Sequence, residues 1–184
     1  MTSPTATAPL APERVVLLGP DRRPTGTELK SEVHGTDTPL HLAFSCYVFD
    51  DRGRVLLTRR ALEKKTWPGV WTNTCCGHPS PDESMTDAVT RRLDAELGLT
   101  VTGLTCVLPD FGYRAVDASG VVENEYCPVF SARVHPESAV RANASEVMDW
   151  RWAAWDDLTQ AVRLAPFAFS PWAAEQVPLL PRAA

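Results

Sequence analysis

Short blocks of apolar residues, several of them alternating with polar ones, are separated along most of the chain by clusters of glycine, proline and aspartate. Blocks of this length suit strands, and the clusters between them are where a chain turns. Residues 13–18 (ERVVLL) read as a first strand, with a turn over 19–26. Residues 29–34 lead towards Pro39, and Gly35 and Asp37 interrupt any regular element. Residues 40–49 (LHLAFSCYVF) read as one strand and 54–59 (RVLLTR) as its return. Between them 50–53 (DDRG) forms a hairpin turn, where Gly53 supplies the positive φ that such turns need. Residues 61–65 are short and helical or irregular, ending at Trp67-Pro68-Gly69. Further on, 99–108, 111–115, 121–134 and 146–152 read as strands, the middle two joined through 117–120 (DASG).

One stretch changes period. Met85, Ala88, Val89 and Leu93 fall on a single helical face, Asp82 or Ser84 can cap its start, and Gly98 stops it after Leu97. Residues 155–163 and 170–177 give two shorter helices. Strand-rich sections broken by helices predict an α/β (α+β) fold with a mixed sheet sandwiched between helices. A single domain over 13–184 carries it, and no internal repeat is visible. Residues 1–12 are rich in Thr, Ala and Pro, with no basic start or apolar core, so they read as a disordered tail rather than a secretory signal.

Composition narrows the classes. At 184 residues the chain can bury a core of its own, and 44% apolar with 22% charged residues is ordinary for a soluble domain. A net charge of -5 offers no broad attraction to nucleic acid or acidic membranes. No apolar run is long enough to span a bilayer. Five cysteines (46, 75, 76, 106 and 127) are an odd number at low density, which favours a reducing cytoplasm and free thiols. Cys46, Cys106 and Cys127 lie in apolar segments and read as small core residues.

The chemistry collects around residues 67–99, WPGVWTNTCCGHPSPDESMTDAVTRRLDAELGL. From Gly77 the spacing is G-x5-E-x7-R-x-L-x2-E-x-G-L, using Glu83, Arg91, Leu93, Glu96, Gly98 and Leu99. This resembles the Nudix box, a loop-helix-loop that holds divalent metal against a diphosphate. Where hydrolysis needs further acids the chain has Arg92 and Ala95, leaving Glu96 alone of the metal-holding group. Together with TRRALEKKTWPGVW upstream and YRAVDASGVVENEYCPVF downstream, the run TNTCCGHP resembles type I isopentenyl-diphosphate isomerases, a Nudix-fold family, over roughly residues 34–172.

The resemblance implies a cysteine and a glutamate that each move a proton across a prenyl diphosphate, through a tertiary carbocation. The matching residues are Cys76, preferred over its neighbour Cys75 because it directly precedes Gly-His, and Glu125. A thiol, with an ordinary pKa of about 8.5, can give and retake a proton near neutrality. Tyr113 matches a tyrosine near the acidic glutamate. Trp172 matches a tryptophan whose π-face lines the hydrocarbon pocket, where it can stabilise a cation by about 0.5–2 kcal/mol. His34, His41, His78, Glu123 and Glu125 match a metal site whose donor types suit Mn²⁺, Mg²⁺ or Zn²⁺. Glu123 and Glu125 are two apart and so share a strand face. Glu96 matches the ligand of a second Mg²⁺ that arrives with substrate, and Lys30, Arg60, Lys64 and Arg92 match diphosphate contacts. Trp67 and Trp71 are candidates to wall the pocket, whereas Arg59, Lys65, Arg91 and His135 read as ordinary solvated or packing residues.

The expected activity is therefore interconversion of isopentenyl and dimethylallyl diphosphate, a 1,3 proton shift that needs no redox cofactor, for isoprenoid synthesis. The protein is expected to be a cytoplasmic monomer or weak dimer that binds neither nucleic acid nor membrane. Two other readings stay open: a Nudix hydrolase acting on a diphosphate, which Arg92 and Ala95 oppose, and a non-catalytic prenyl-diphosphate or metal-binding homologue.

Overall fold

A computed structural model of the chain describes residues 12–180. Apart from Pro12, the expected disordered tail lies outside the described residues. Five strands make one sheet: β1 (Arg14–Leu18), β2 (Pro24–Leu29), β3 (His41–Leu42), β9 (Gly112–Val116) and β10 (Val122–Tyr126), in the order β2-β1-β3-β10-β9. The second sheet holds β4 (Phe44–Phe49), β5 (Arg54–Arg60), β8 (Val101–Leu108), β11 (Val129–Val134) and β12 (Val147–Ala154), in the order β12-β5-β4-β11-β8. Two short strands join it, β6 (Trp71–Thr72) on β5 and β7 (Cys75–Gly77) on β4. Three helices follow the expected segments: α1 (Met85–Leu97), α2 (Trp155–Leu164) and α3 (Pro171–Gln176).

Two apolar blocks that read as single strands are each divided between the sheets. Residues 40–49 break at Ala43 into β3 and β4, and residues 121–134 break at Cys127-Pro128 into β10 and β11. The two broken blocks run parallel to each other through both sheets, Glu125 opposite His41 and Phe130 opposite Cys46. Pro128 has no amide hydrogen to give a ladder, which suits it to the bend. The turn expected at 19–26 gives way from Pro24 to an exposed edge strand. The 75–77 run, expected as loop, is a strand.

Helix α1 forms as its sequence predicts. Ser84 Oγ accepts from the Asp87 amide as the cap, and Gly98 adopts φ +60° to close the C-terminus. Ala88, Val89, Leu93 and Leu97 pack into the core with Phe44, Cys46, Val48 and Leu56 of the seven-stranded sheet. Cys46 and Cys127 are buried as expected, but Cys106 is exposed. It lies on β8, which among the described residues pairs with β11 alone, so little covers it. Among the described residues no helix is long and apolar enough to cross a membrane.

Candidate active site

The site opens where the two sheets part. In the five-stranded sheet Glu125 of β10 stands between His41 on β3 and Tyr113 on β9, each its direct cross-strand partner. Across the gap, β7 pairs with β4 so that Cys76 lies opposite Ser45. Successive residues of a strand point to opposite faces. Cys75 therefore enters the core beneath α1, while Cys76 lines a cavity of about 520 Å³. That cavity is also lined by His34, His78, Tyr113, Glu123, Glu125 and Trp172, and by Lys30, Arg60, Lys64 and Arg92. The candidate catalytic and diphosphate residues thus share one space with His34, His78, Glu123 and Glu125. His41 is fully buried outside that lining, and Glu96 lies in an adjoining recess reached by Arg60, Lys64 and Cys76.

Donor atoms of His34, His41, His78 and Glu125 all lie within 4.8 Å of one another. His78 Nε2 is 3.1 Å and His41 Nε2 3.5 Å from Glu125 Oε1, and His34 Nε2 is 3.3 Å from Glu123 Oε2. Glu123 stands beside the group of four rather than inside it, its other oxygen accepting from Thr66 Oγ1 at 2.6 Å. His41 Nδ1 donates to the Pro39 carbonyl at 2.9 Å, which turns Nε2 towards Glu125; burial works against a charged ring, yet the Glu125 carboxylate holds its pKa above the ordinary value. The Nε2 atoms of His34 and His41 are buried and without a hydrogen-bond partner. Orphaned imidazole nitrogens facing carboxylates suit a divalent cation, and the back-side hydrogen bond of His41 is the kind that orients a metal ligand.

Burial, with the Glu125 charge beside it, pushes Glu123 up. Burial acts on Glu125 too, but the His41 and His78 rings outweigh it and hold its carboxyl well below the usual range. Burial, with the His41 and His34 rings beside it, outweighs the Glu125 carboxylate and brings His78 down to about 4, so that ring stays neutral. Burial also pushes the Cys76 thiol up to about 12, although Ser45 and Asn73 hydrogen-bond to it. At neutral pH this sulfur keeps its proton, which makes it an acid in waiting rather than a nucleophile.

The cations are held by carboxylates. Lys30 Nζ lies 2.5 Å from Glu13 Oε2. Arg92 is buried against Gly77, where an added Cβ would come within 2.9 Å of the arginine Cγ and 3.0 Å of the Phe44 ring. Its Nε donates to Glu96 Oε1 at 3.0 Å and its Nη2 to Glu146 Oε1 at 3.1 Å, while Lys64 pairs with the other oxygen of Glu146. Burial works against the Glu146 charge, yet Lys64 and Arg92 bring its pKa down to about 2. Arg60 instead donates to the Thr66 carbonyl and lies 5.2 Å over the Trp172 ring. Arg91 makes a two-point pair with Glu83 at 2.7 Å, bracing the loop before α1, and Lys65, read as a solvated charge, stands at the cavity lining. Trp67 packs edge-on against Trp172, with ring centroids 5.6 Å apart.

Glu146 and Asn73 were not legible as site residues. Glu146 precedes an ordinary strand, and Asn73 sits in a run that reads as loop. Burial of a polar side chain marks Asn73 and two cations on one carboxylate mark Glu146, and only the fold supplies either signal.

The family model of the NUDIX domain matches residues 39–180. The Isopentenyl-diphosphate Delta-isomerase of Mycolicibacterium vanbaalenii is 59% identical over 172 residues, covering 91% of this chain and 91% of its own. That of Kocuria rhizophila is 60% identical over 168 residues, covering 90% and 91%. Among solved structures, DR0079 from Deinococcus radiodurans superposes with a TM-score of 0.70 at 16% identity, over 92% of this chain and 100% of that one, and so shares the fold. Two-sheet architecture, helix-borne box and close relatives over nearly the full length agree: the chain belongs to the isopentenyl-diphosphate Delta-isomerase family of NUDIX-domain proteins.

Proposed function

We infer that the protein interconverts isopentenyl diphosphate and dimethylallyl diphosphate, with Cys76 as proton donor and Glu125 as proton acceptor. The observation that carries this reading is the single cavity lined by a protonated thiol, a charged carboxylate, aromatic faces and diphosphate-binding cations. An alkene is a very weak base, so its protonation needs an acid in contact and a stabilised cation. Cys76 gives its proton to the terminal methylene carbon, and the positive charge that results rests on the tertiary carbon. Trp172 and Tyr113, with ring centroids 5.6 Å apart, present π-electrons to that charge. Glu125 takes a proton from the neighbouring carbon, and the double bond re-forms one position along. One proton enters and one leaves, and nothing is oxidised or reduced.

Lys30, Arg60, Lys64 and Arg92 hold the diphosphate, a dianion-rich group suited to guanidinium and ammonium donors. His34, His41, His78 and Glu125, flanked by Glu123, would hold a divalent ion of the Mn²⁺, Mg²⁺ or Zn²⁺ class. Glu96 would hold Mg²⁺ brought by the substrate. The bound ions supply positive charge that keeps Glu125 ionised and neutralises phosphate. Five unpaired cysteines fit the reducing cytoplasm proposed for it.

Incubation with isopentenyl diphosphate and Mg²⁺ in deuterated water should yield dimethylallyl diphosphate carrying deuterium at its methyl group, read by NMR. Release of inorganic phosphate without the allylic isomer would instead mark a hydrolase.

Glu146 bears on binding rather than on chemistry, because its carboxylate spans a cation from the turn after β5 and another from α1. Glu146→Gln removes the charge that spaces them. KM for isopentenyl diphosphate should rise about tenfold, equivalent to about 1.4 kcal/mol, with kcat changed far less. Steady-state kinetics check it.

A further inference from the structure

Asn73 lies between β6 and β7, 1% exposed, and every hydrogen-bonding position of its amide is used. Nδ2 donates to the carbonyls of Cys46 at 3.1 Å and Cys75 at 2.8 Å. Oδ1 accepts from Trp172 Nε1 at 3.0 Å, Thr72 Oγ1 at 2.8 Å and Cys76 Sγ at 3.1 Å. Chemistry fixes which way the amide faces, since a flipped one would set its NH₂ against the indole N–H and its oxygen against two carbonyls.

We propose that Asn73 is a positioning residue for the isomerisation: its amide oxygen sets the Cys76 thiol and the Trp172 indole relative to each other, so that the proton donor and the π-face meeting the new cation keep one separation. The proposal rests on the roles given above to Cys76 and Trp172. Among the described residues neither group has an equivalent anchor. The other polar neighbour of Cys76, Ser45 Oγ at 3.4 Å, is also 3.5 Å from Cys127 Sγ and accepts from Gln176 Nε2 at 2.9 Å. That hydroxyl is therefore shared among three partners, two of them sulfurs at long range. The hydrogen bond to Asn73 is what ties the Trp172 indole N–H, on α3, to the strand pair carrying Cys76.

The arrangement also lets the proton go. An amide oxygen has two lone pairs, and here three donors share them, a thiol being the weakest. When the thiol swings its hydrogen to the alkene, Thr72 and Trp172 still hold the amide, and the sulfur returns to an acceptor that has not moved.

Three variants test this: Asn73→Ala, Trp172→Phe and the pair together, with Cys76→Ser as reference. In folded Asn73→Ala, kcat should fall about 100-fold, the scale of an ångström's misplacement, while KM holds because Lys64 and Arg92 are untouched. The double variant should lose less than the product of the single losses, since both remove one shared constraint. The S–H stretch of Cys76, isolated as a Raman difference against Cys76→Ser, should move to higher frequency in Asn73→Ala. It should move to lower frequency in Trp172→Phe, where the oxygen loses a competing donor. This last reading keeps Asn73 and stands even if Asn73→Ala does not fold. A kcat within about threefold of wild type in folded Asn73→Ala, multiplicative losses, or a thiol band indifferent to Trp172→Phe would overturn the proposal. Should Cys76→Ser turn over normally, the roles beneath it fail first and the proposal fails with them.

Discussion

Cys76→Ser is expected to lower kcat for isopentenyl diphosphate by about 10²–10⁴-fold, the range lost when a general acid is removed, while fold and substrate affinity survive. Serine occupies the same space and can keep the same partners, donating to Asn73 Oδ1 and lying beside Ser45 Oγ. What it lacks is acidity. Burial already pushes the thiol up to about 12, and a hydroxyl starts several units higher in the same dry place. The alkene then meets a donor too weak to protonate it. Its neighbour is the internal control. Cys75 packs under α1 against Phe44 and Leu93, so Cys75→Ala should lower the melting temperature through lost packing and leave kcat near wild type. NMR detection of the allylic product, beside thermal melts, separates the two. Normal turnover in Cys76→Ser, or loss of activity confined to Cys75→Ala, would reverse the assignment.

That neighbouring cysteines can differ so completely follows from the strand between them, which the sequence did not announce. CCG within TNTCCGHP reads as loop because its short residues and flanking glycine and proline carry no strand pattern. Only the tertiary pairing of β7 with β4 imposes the alternation. The kinks are hidden for a similar reason. Every residue of β4 is buried, so the block 40–49 shows no change of period where it leaves one sheet for the other. Pro128 was the visible mark of the second kink. Helix α1, by contrast, was legible to its caps, because Ser84, the apolar spacing and Gly98 act within a few residues of one another. Among site residues, the three histidines come from separate segments, and their grouping rested on the family resemblance. Glu146 and Asn73 had no such guide, and Cys106 was misplaced because an edge strand can look as apolar as a central one.

Glu125→Gln should be the more damaging change, since one oxygen pair serves two ends. The carboxylate receives the substrate proton in the proposed reaction, and it is the charged member of the His34, His41 and His78 group. Glutamine keeps the shape and one acceptor oxygen, so the strand pairing with His41 and Tyr113 need not change. A neutral amide cannot take a proton from carbon. It would also leave three imidazoles to hold a dication with Glu123 alone as counter-charge, and burial pushes that carboxyl towards its protonated form. Isomerisation should therefore fall below detection, and purified Glu125→Gln should carry less tightly held metal than wild type by elemental analysis after dialysis. Glu123→Gln makes the comparison informative: it stands outside the group of four, so it should weaken metal retention while leaving measurable turnover. If Glu125→Gln retained full metal and lost only turnover, the carboxylate would be an acceptor without being a ligand. If it retained turnover as well, the proton would have to leave to another base, and the nearest candidate is Glu123, two residues along the same strand, in the lining of the same cavity and paired with His34.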